Sequence, residues 1–165
     1  MIDPTTGTAV HHEITVDVPQ ARAFALFTER FDDVKPRSHT LLEVPLGRSV
    51  LEPFVGGRLY DLGTDGSTLV WGSVLACEPP VRLVFSWQLT PQFQVEADPA
   101  RFSEVEVRFV VDGPDRTRVE LDHRYLDRHG DGWESERAAV DQGEGWPLYL
   151  ARFATVAAGR PFDVG

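Results

Sequence analysis

Several residue types that define common protein classes are scarce or missing. Cys77 is the only cysteine, so the chain can form neither an internal disulfide bond nor a zinc site of four thiolates. Asparagine is absent, which excludes N-glycosylation. No apolar run approaches the roughly 18 residues of a membrane span. Residues 1–4 show neither the basic start nor the apolar run of a secretion signal. We therefore expect a cytoplasmic protein without a membrane span.

Positive charge is also scarce. Sixteen basic residues against 26 acidic ones give a net charge of −10, the wrong sign for a protein that binds nucleic acid or an anionic membrane surface. All the basic residues except Lys35 are arginines, a bias that we attribute to a GC-rich genome. The length of 165 residues is typical of one domain. We predict that this domain spans 10–159, between flexible tails at 1–9 and 160–165.

The hydrophobic pattern predicts one strand and one helix at the start of the domain. Residues 12–18 alternate between apolar and polar side chains, as in a half-buried strand. Helical spacing then places Phe24, Phe27 and Phe31 on one face. Residues 32–47 follow as a connector, whose length is typical of a lid or a mobile loop.

Most of the remaining chain is predicted to form antiparallel strands. The first four cover residues 49–54, 58–62, 67–77 and 82–89. A loop at 90–100 separates them from two strands, 104–111 and 118–125, in which apolar and charged residues alternate. This alternation predicts one face in the core and one in water, with charge pairs across the wet face. Val111 and His123 fall on the dry face.

Helical spacing returns after the last strand. Trp146, Tyr149 and Phe153 share an apolar stripe. Pro147 indicates that this helix begins near Trp146, after a separate helical segment at 134–140. The order of elements predicts an α+β domain, in which a curved antiparallel sheet of six to seven strands wraps around a long C-terminal helix. Such a sheet leaves space for a ligand beneath the helix.

Motifs of known catalytic chemistry are missing. There is no nucleophile elbow and no P-loop, and Gly143-Glu144-Gly145 lacks the third glycine of a dinucleotide-binding fingerprint. Cys77 ends an apolar strand, where a buried structural thiol is favoured over a nucleophile. The inward positions that the alternation assigns hold no carboxylate. An enzyme would therefore depend on His123 and on tyrosines, and we expect neither a cofactor nor a metal ion.

The five histidines differ in their expected surroundings. His11 and His12 are adjacent on a strand and point to opposite faces, so they are not expected to bind one metal ion. His39 either lines the mouth of a cavity or lies in solvent, and the solvated interpretation is favoured. His129 is predicted to lie in a surface loop. His123 needs a polar partner, and a core histidine bonded by the protein is favoured over one that contacts a ligand.

Aromatic residues on inward faces are candidates for a cavity wall, although simple packing is their more frequent role. Arg58 is expected to pair with an acid at the surface or, as a less favoured alternative, to face the interior beside Tyr60. The candidate ligand-cavity residues are Arg58, Tyr60, Trp71, Phe85, Trp87, Phe109, His123, Tyr125, Trp146 and Phe153.

A series of short motifs between residues 13 and 158 resembles a known superfamily. The motifs are Val18-Pro19, Glu52-Pro53, Val55-Gly56-Gly57-Arg58, Trp71-Gly72, Glu78-Pro79-Pro80 and Gly145-Trp146. Their order and spacing resemble the START-like (SRPBCC, birch-pollen-allergen-like) superfamily, and within it the bacterial branch related to the C-terminal domain of the activator of heat-shock protein 90 ATPase. The resemblance implies the helix-grip fold. Members often carry two adjacent tryptophans where this chain has Val34-Lys35-Pro36.

Three functions are compatible with this resemblance. The favoured one is a non-enzymatic binding or carrier domain for a small apolar or aromatic molecule, held in a hydrophobic cavity under the C-terminal helix. The alternatives are a protein-interaction module, by analogy with the chaperone activator, and an enzyme of the cyclase or aromatase kind. A protein partner and a homodimer formed through an edge strand both stay open.

Overall fold

The computed structural model describes residues 6–159, and within them seven strands form a single antiparallel sheet. The strands are β1 (Val10–Val16), β2 (Leu46–Leu51), β3 (Arg58–Gly63), β4 (Thr68–Glu78), β5 (Arg82–Trp87), β6 (Ser103–Gly113) and β7 (Arg116–Arg124). The helices are α1 (Gln20–Glu29), α2 (Phe31–Val34), α3 (Trp133–Asp141) and α4 (Trp146–Ala157). The strand order is β1-β7-β6-β5-β4-β3-β2. This curved sheet around α4 confirms the predicted α+β helix-grip fold.

The break between α3 and α4 follows from local chemistry. Pro147 sits in the first turn of α4, where its missing N–H costs nothing. A Cβ atom on Gly145 would lie 2.2 Å from the Val140 carbonyl oxygen, so only glycine allows the two helices to approach this closely. Two separate helices at this point were predicted, and the structure confirms them.

Aromatic rings join the helices to the sheet in one core. The Phe27 ring meets those of Phe31, Phe109 and Phe153 edge to face, with centroids 5.9, 5.8 and 5.4 Å away. These residues come from α1, α2, β6 and α4. The apolar faces of α1 and α4 therefore pack against each other and against the inner face of the sheet.

The outer face of the sheet carries the charge pairs that the alternation predicted. Glu106 on β6 accepts hydrogen bonds from Arg82, Arg108 and Arg124 on three strands. This cross-strand pairing explains why Glu106 is only 7% exposed although it lies on the face away from the core.

Some sequence predictions fail at the ends of elements. Val111 was assigned to the dry face but is 62% exposed, because β6 extends beyond the core towards its hairpin and carries a bulge after this residue. His129 was assigned to a surface loop but is 2% exposed, at the end of a 3-10 turn. The predicted connector 32–47 contains part of α2 and the start of β2.

The predicted tails fall mostly outside the described residues. In the described part of the N-terminal tail, Thr6–Thr8 forms a 3-10 turn, and the Ala9 carbonyl accepts a hydrogen bond from Arg137 Nε at 3.1 Å. Over the part of the chain that the structure covers, no helix has the length and apolarity needed to cross a membrane.

Truncating the α4 side of this core is expected to destabilise the domain. Phe153 is fully buried, so Phe153→Ala removes its ring contacts and leaves a cavity, at a cost of about 3–5 kcal/mol in the free energy of unfolding. Urea unfolding followed by circular dichroism measures this loss. Ala151→Ser, on the exposed face of the same helix, is the control, and an equal loss in both variants would contradict the assigned core.

Candidate functional site

A cavity of about 320 Å³ lies between the sheet and α4. Strands β3, β4 and β5 form its floor, and α3, α4 and residues 38–41 enclose it. The volume is at the lower end of the range for sites that enclose a small organic molecule, about 300–1,000 Å³. We call it the aromatic cavity.

Its wall is a continuous run of rings. Trp87 lies between Trp71 and Trp146, with centroid distances of 5.7 and 5.5 Å, and Tyr149 stands 4.9 Å beyond Trp146. The three indoles come from β4, β5 and the first turn of α4, and all are nearly inaccessible to solvent. Flat, polarisable faces of this kind suit a planar aromatic ligand.

One end of the cavity holds a buried ion pair. Lys35 follows α2, which ends there because the residue before Pro36 is held in extended backbone. The Lys35 ammonium donates to both oxygens of the Asp61 carboxylate, at 2.8 and 2.7 Å, and Ser49 Oγ donates to one of them at 2.9 Å. Lys35 Nζ also lies 4.7 Å from the centre of the Trp71 ring. Burial lowers the pKa of Lys35, and Asp61 opposes that shift.

A second polar pair also lines the cavity. His39 Nδ1 and the Tyr149 hydroxyl are 3.3 Å apart, and their rings pack against each other. Burial lowers the pKa of His39 below its ordinary value of 6.5, and the Lys35 charge adds to the effect. Burial raises the pKa of Tyr149 well above its usual range. At neutral pH the pair therefore consists of a neutral imidazole and an intact phenol.

A buried carboxyl group stands behind the wall. Glu136 on α3 is 0% exposed and accepts a hydrogen bond from Trp87 Nε1 at 2.8 Å. Burial raises the pKa of Glu136 from 4.5 to about 7, against the opposing effect of the Trp87 bond. The sequence analysis found no carboxylate at the inward positions that the strand alternation assigns. Asp61 on β3 and Glu136 on α3 are buried carboxyl groups at positions outside that assignment.

Three of the ten candidate residues line the aromatic cavity, namely Trp71, Trp87 and Trp146. Four others are buried in the surrounding core without lining the cavity: Phe85, Phe109, His123 and Phe153. His123 is bonded by Ser103 and Trp146, as the favoured interpretation had it. The last three, Arg58, Tyr60 and Tyr125, lie outside both the aromatic cavity and the buried core.

The three residues outside the cavity have physical explanations. On β3 the buried positions are Leu59 and Asp61, so Arg58 and Tyr60 face outward. The Arg58 guanidinium lies 4.9 Å from the Tyr60 ring centre and 3.2 Å from a Glu52 carboxylate oxygen, which confirms the favoured interpretation that Arg58 pairs with an acid at the surface. An inward aspartate makes the two faces of this strand look equally apolar. Tyr125 has a left-handed backbone, with φ of 62°, which ends the alternation of β7 and turns its ring away from the core.

Sequence reasoning missed Lys35, Asp61, Glu136 and Tyr149 as site residues. For Lys35 a signal existed, because it is the single lysine in a chain whose other basic residues are all arginine. Tyr149 lies on the same stripe as Trp146, which also pointed to it. His39 lines the cavity, so the solvated interpretation was wrong.

A group of potential metal ligands occurs on the outer face of the sheet. Atoms of His11, Glu13 and Glu120 lie within 4.8 Å of one another, because residues two apart on a strand share a face. Asp122 already bonds His11, and Arg118 pairs with Glu120. These contacts account for the cluster without an ion.

Comparison with protein families gives a match over most of the chain. Residues 17–158 match the family model described as activator of Hsp90 ATPase homolog 1-like protein. The chain belongs to this family. The match agrees with the resemblance to the START-like superfamily that the sequence motifs indicated. A comparison with curated proteins found no match.

Solved structures give more specific relatives. An anthrahydroquino-gamma-pyrone synthase, Txn09, is 41% identical over 90% of this chain and 96% of its own, with a TM-score of 0.63. CalC of Micromonospora echinospora, described as a self-sacrificing resistance protein, is 27% identical over 95% of this chain and 99% of its own, with a TM-score of 0.65. A protein from Nitrosomonas europaea, 13% identical over 96% of this chain and 98% of its own, shares the fold with a TM-score of 0.63.

Glu136 is expected to make stability depend on pH. Its pKa is higher in the folded protein, about 7, than in the unfolded chain, so its contribution is complete below about pH 4.5 and is lost as the pH rises through 7. Glu136→Gln removes this loss. The free energy of unfolding of the variant minus that of wild type should therefore increase by about 2–3 kcal/mol between pH 5 and pH 8. A constant difference across this range would contradict the raised pKa.

We expect the loss of one member of the Lys35–Asp61 ion pair to destabilise the protein more than the loss of both. Lys35→Met leaves the Asp61 carboxylate buried without its partner, which should cost about 3–5 kcal/mol in the free energy of unfolding. The double variant Lys35→Met/Asp61→Leu removes both charges and should recover most of that loss. Urea unfolding of both variants tests the coupling, and a double variant no more stable than the single one would exclude it.

Proposed function

We propose that the protein binds a planar polycyclic aromatic molecule in the aromatic cavity and closes an oxygen-containing ring on it. The observation that carries this proposal is the combination of an indole-walled cavity with the polar groups of Lys35, His39 and Tyr149 among its lining residues. The 41% identity with an anthrahydroquino-gamma-pyrone synthase supports the same class of substrate. A pyrone of this kind forms when a phenol oxygen attacks a side-chain ketone and the adduct loses water.

The polar groups suit the first step. The phenol oxygen forms a bond to the ketone carbon, and its proton passes to His39, which is neutral at neutral pH. The ketone oxygen becomes a hydroxyl by taking the proton of Tyr149. The Lys35 ammonium has three N–H donors and gives two to Asp61, so the third is free to stabilise the negative charge that develops on this oxygen.

The second step restores both groups. The new hydroxyl leaves as water with the proton held by His39, and the Tyr149 phenolate removes a proton from the carbon next to the ring-closing position. One molecule of water is lost, and no electrons are transferred. The reaction therefore needs no redox cofactor.

Binding is tested with a hydroxyanthraquinone and tryptophan fluorescence. Trp71→Leu removes one wall of the cavity and should weaken binding about tenfold, the equivalent of one strong aromatic contact. Trp133→Leu is the matched control, because Trp133 is the fourth tryptophan and does not line the aromatic cavity. Equal affinities of the two variants would place the ligand elsewhere.

Turnover is tested with a hydroxyanthraquinone that carries a 1,3-diketone beside the phenol. His39→Gln should lower kcat by a factor of about 100 or more while leaving the affinity within a few-fold, as expected for loss of a general base. His11→Gln, on the outer face, should have no effect. Because His39 must be neutral to accept the proton, kcat should fall in acid, with a midpoint below pH 6.5. An unchanged kcat in His39→Gln would contradict its role.

A second candidate function is binding without chemistry. The similarity to CalC, a protein described by resistance rather than by catalysis, favours it, and it agrees with the carrier that the sequence indicated. The same assays separate the two functions. Tight binding by the wild-type protein with ring closure no faster than in buffer would leave the carrier function and exclude the enzyme.

A further inference from the structure

A second set of polar groups lies behind the aromatic wall. Glu136 on α3, His129 on the preceding 3-10 turn, Ser103 on β6 and His123 on β7 are each at most 2% exposed. None of them lines the aromatic cavity, so none has a part in the reaction proposed above. Buried polar groups are costly, and this group therefore needs an explanation of its own.

Both ends of the set meet an indole of the wall. Trp87 Nε1 donates to Glu136 Oε2 at 2.8 Å, and Trp146 Nε1 donates to His123 Nδ1 at 3.1 Å. An indole nitrogen can only donate, so each tryptophan requires an acceptor in this place. The two rings adjoin one another, with an interplanar angle of 66°.

The hydrogen bonds between the two ends have a definite direction. Burial holds the pKa of His123 well below 6.5, so the ring is neutral, and because Nδ1 accepts from Trp146 the proton is on Nε2. Nε2 then donates to Ser103 Oγ at 2.7 Å. The Ser103 hydroxyl is left to donate to His129 Nε2, also at 2.7 Å. This nitrogen lies 3.8 Å from Glu136 Oε1, which is too far for a hydrogen bond, so the run of hydrogen bonds from Trp146 ends at His129, beside Glu136.

We propose that Glu136 and His123 are positioning residues, which hold Trp87 and Trp146 as two fixed walls for a flat aromatic ligand, and that the fit of this ligand depends on the protonation of Glu136. The inference rests on the proposed function for the class of ligand. The hydrogen bonds from Trp87 and Trp146 to these two residues would keep the cavity in its shape when no ligand is bound. One side of each indole borders the cavity, so packing alone does not hold the ring on that side.

The surroundings of Glu136 make it the group that titrates. It faces Trp87 and His129, and of its two oxygens Oε1 has no hydrogen-bond partner. Burial lowers the pKa of His129 from 6.5 to about 4, with Glu96 opposing the shift and Arg101 adding to it, so His129 is neutral at neutral pH. The pKa of Glu136 is about 7. The carboxylate accepts the Trp87 N–H more strongly than the protonated acid does, because charge-assisted hydrogen bonds are stronger.

The first experiment measures tryptophan fluorescence of the ligand-free protein between pH 5.5 and 8.5. The wild-type emission should change with a midpoint near 7, as the group bonded to Trp87 titrates. Glu136→Gln should abolish the transition, because an amide accepts the N–H but does not ionise. Glu134→Gln, exposed on the same helix, should keep it. A transition that persists in Glu136→Gln would overturn the assignment.

The second experiment measures the affinity for a hydroxyanthraquinone probe. Glu136→Leu removes the acceptor and should weaken binding about tenfold, the equivalent of one hydrogen bond to a charged group. Glu136→Gln keeps the acceptor and should bind within about threefold of wild type, without the wild-type dependence on pH. A purely structural role would not separate these two variants. Equal binding by Glu136→Leu and wild type would overturn the positioning role.

The two arms keep this proposal distinct from the proposed function. A fluorescence transition that depends on Glu136, in a protein that does not bind the probe, would support the positioning of Trp87 and exclude the ligand class. Probe binding that is indifferent to pH and to Glu136→Leu would support the ligand class and exclude the positioning role.

Discussion

The buried ion pair between Lys35 and Asp61 is the interaction on which the site depends. It joins the segment after α2 to the inner face of β3, and Ser49 on β2 completes it. Two charges taken out of water are held there only because each supplies the other with hydrogen bonds. The same contact closes one end of the aromatic cavity and brings a cation to the Trp71 ring. A core of apolar residues alone would fill this space.

The remaining polar groups follow the same logic on the opposite side of the wall. An indole fills space well, but burying its N–H without an acceptor costs free energy, a cost that Trp71 bears and that Trp87 and Trp146 avoid. Trp87 and Trp146 find their acceptors in Glu136 and His123, and those acceptors require partners in turn. The aromatic wall and the polar groups behind it are therefore one structure. Burying the acceptors Glu136 and His123 costs desolvation free energy, and this cost is what allows the indoles to be held around an open cavity.

The sequence predicts the fold more fully than the site, for a physical reason. Periodicity records which side chains face water, and β6, β7 and α4 show it clearly because one face of each is apolar. The site breaks that rule. Asp61 faces inward on β3, Tyr125 leaves the alternation through a left-handed backbone, and Glu136 is ionisable yet buried. Such residues become visible only when the chain brings their partners to them from distant elements.

The lone lysine shows how composition can carry information that periodicity cannot. Where arginine fills every other basic position, a lysine in a nearly inaccessible place indicates a geometric requirement. A guanidinium is planar and wide, whereas an ammonium is compact and directs three donors from one atom. The space between Asp61 and the Trp71 ring takes that compact group, with two of its donors on the carboxylate. An arginine there would direct its fork at the carboxylate and fill part of the cavity. A lysine at position 35 thus forms the ion pair with Asp61 and leaves the cavity volume open, whereas an arginine would not.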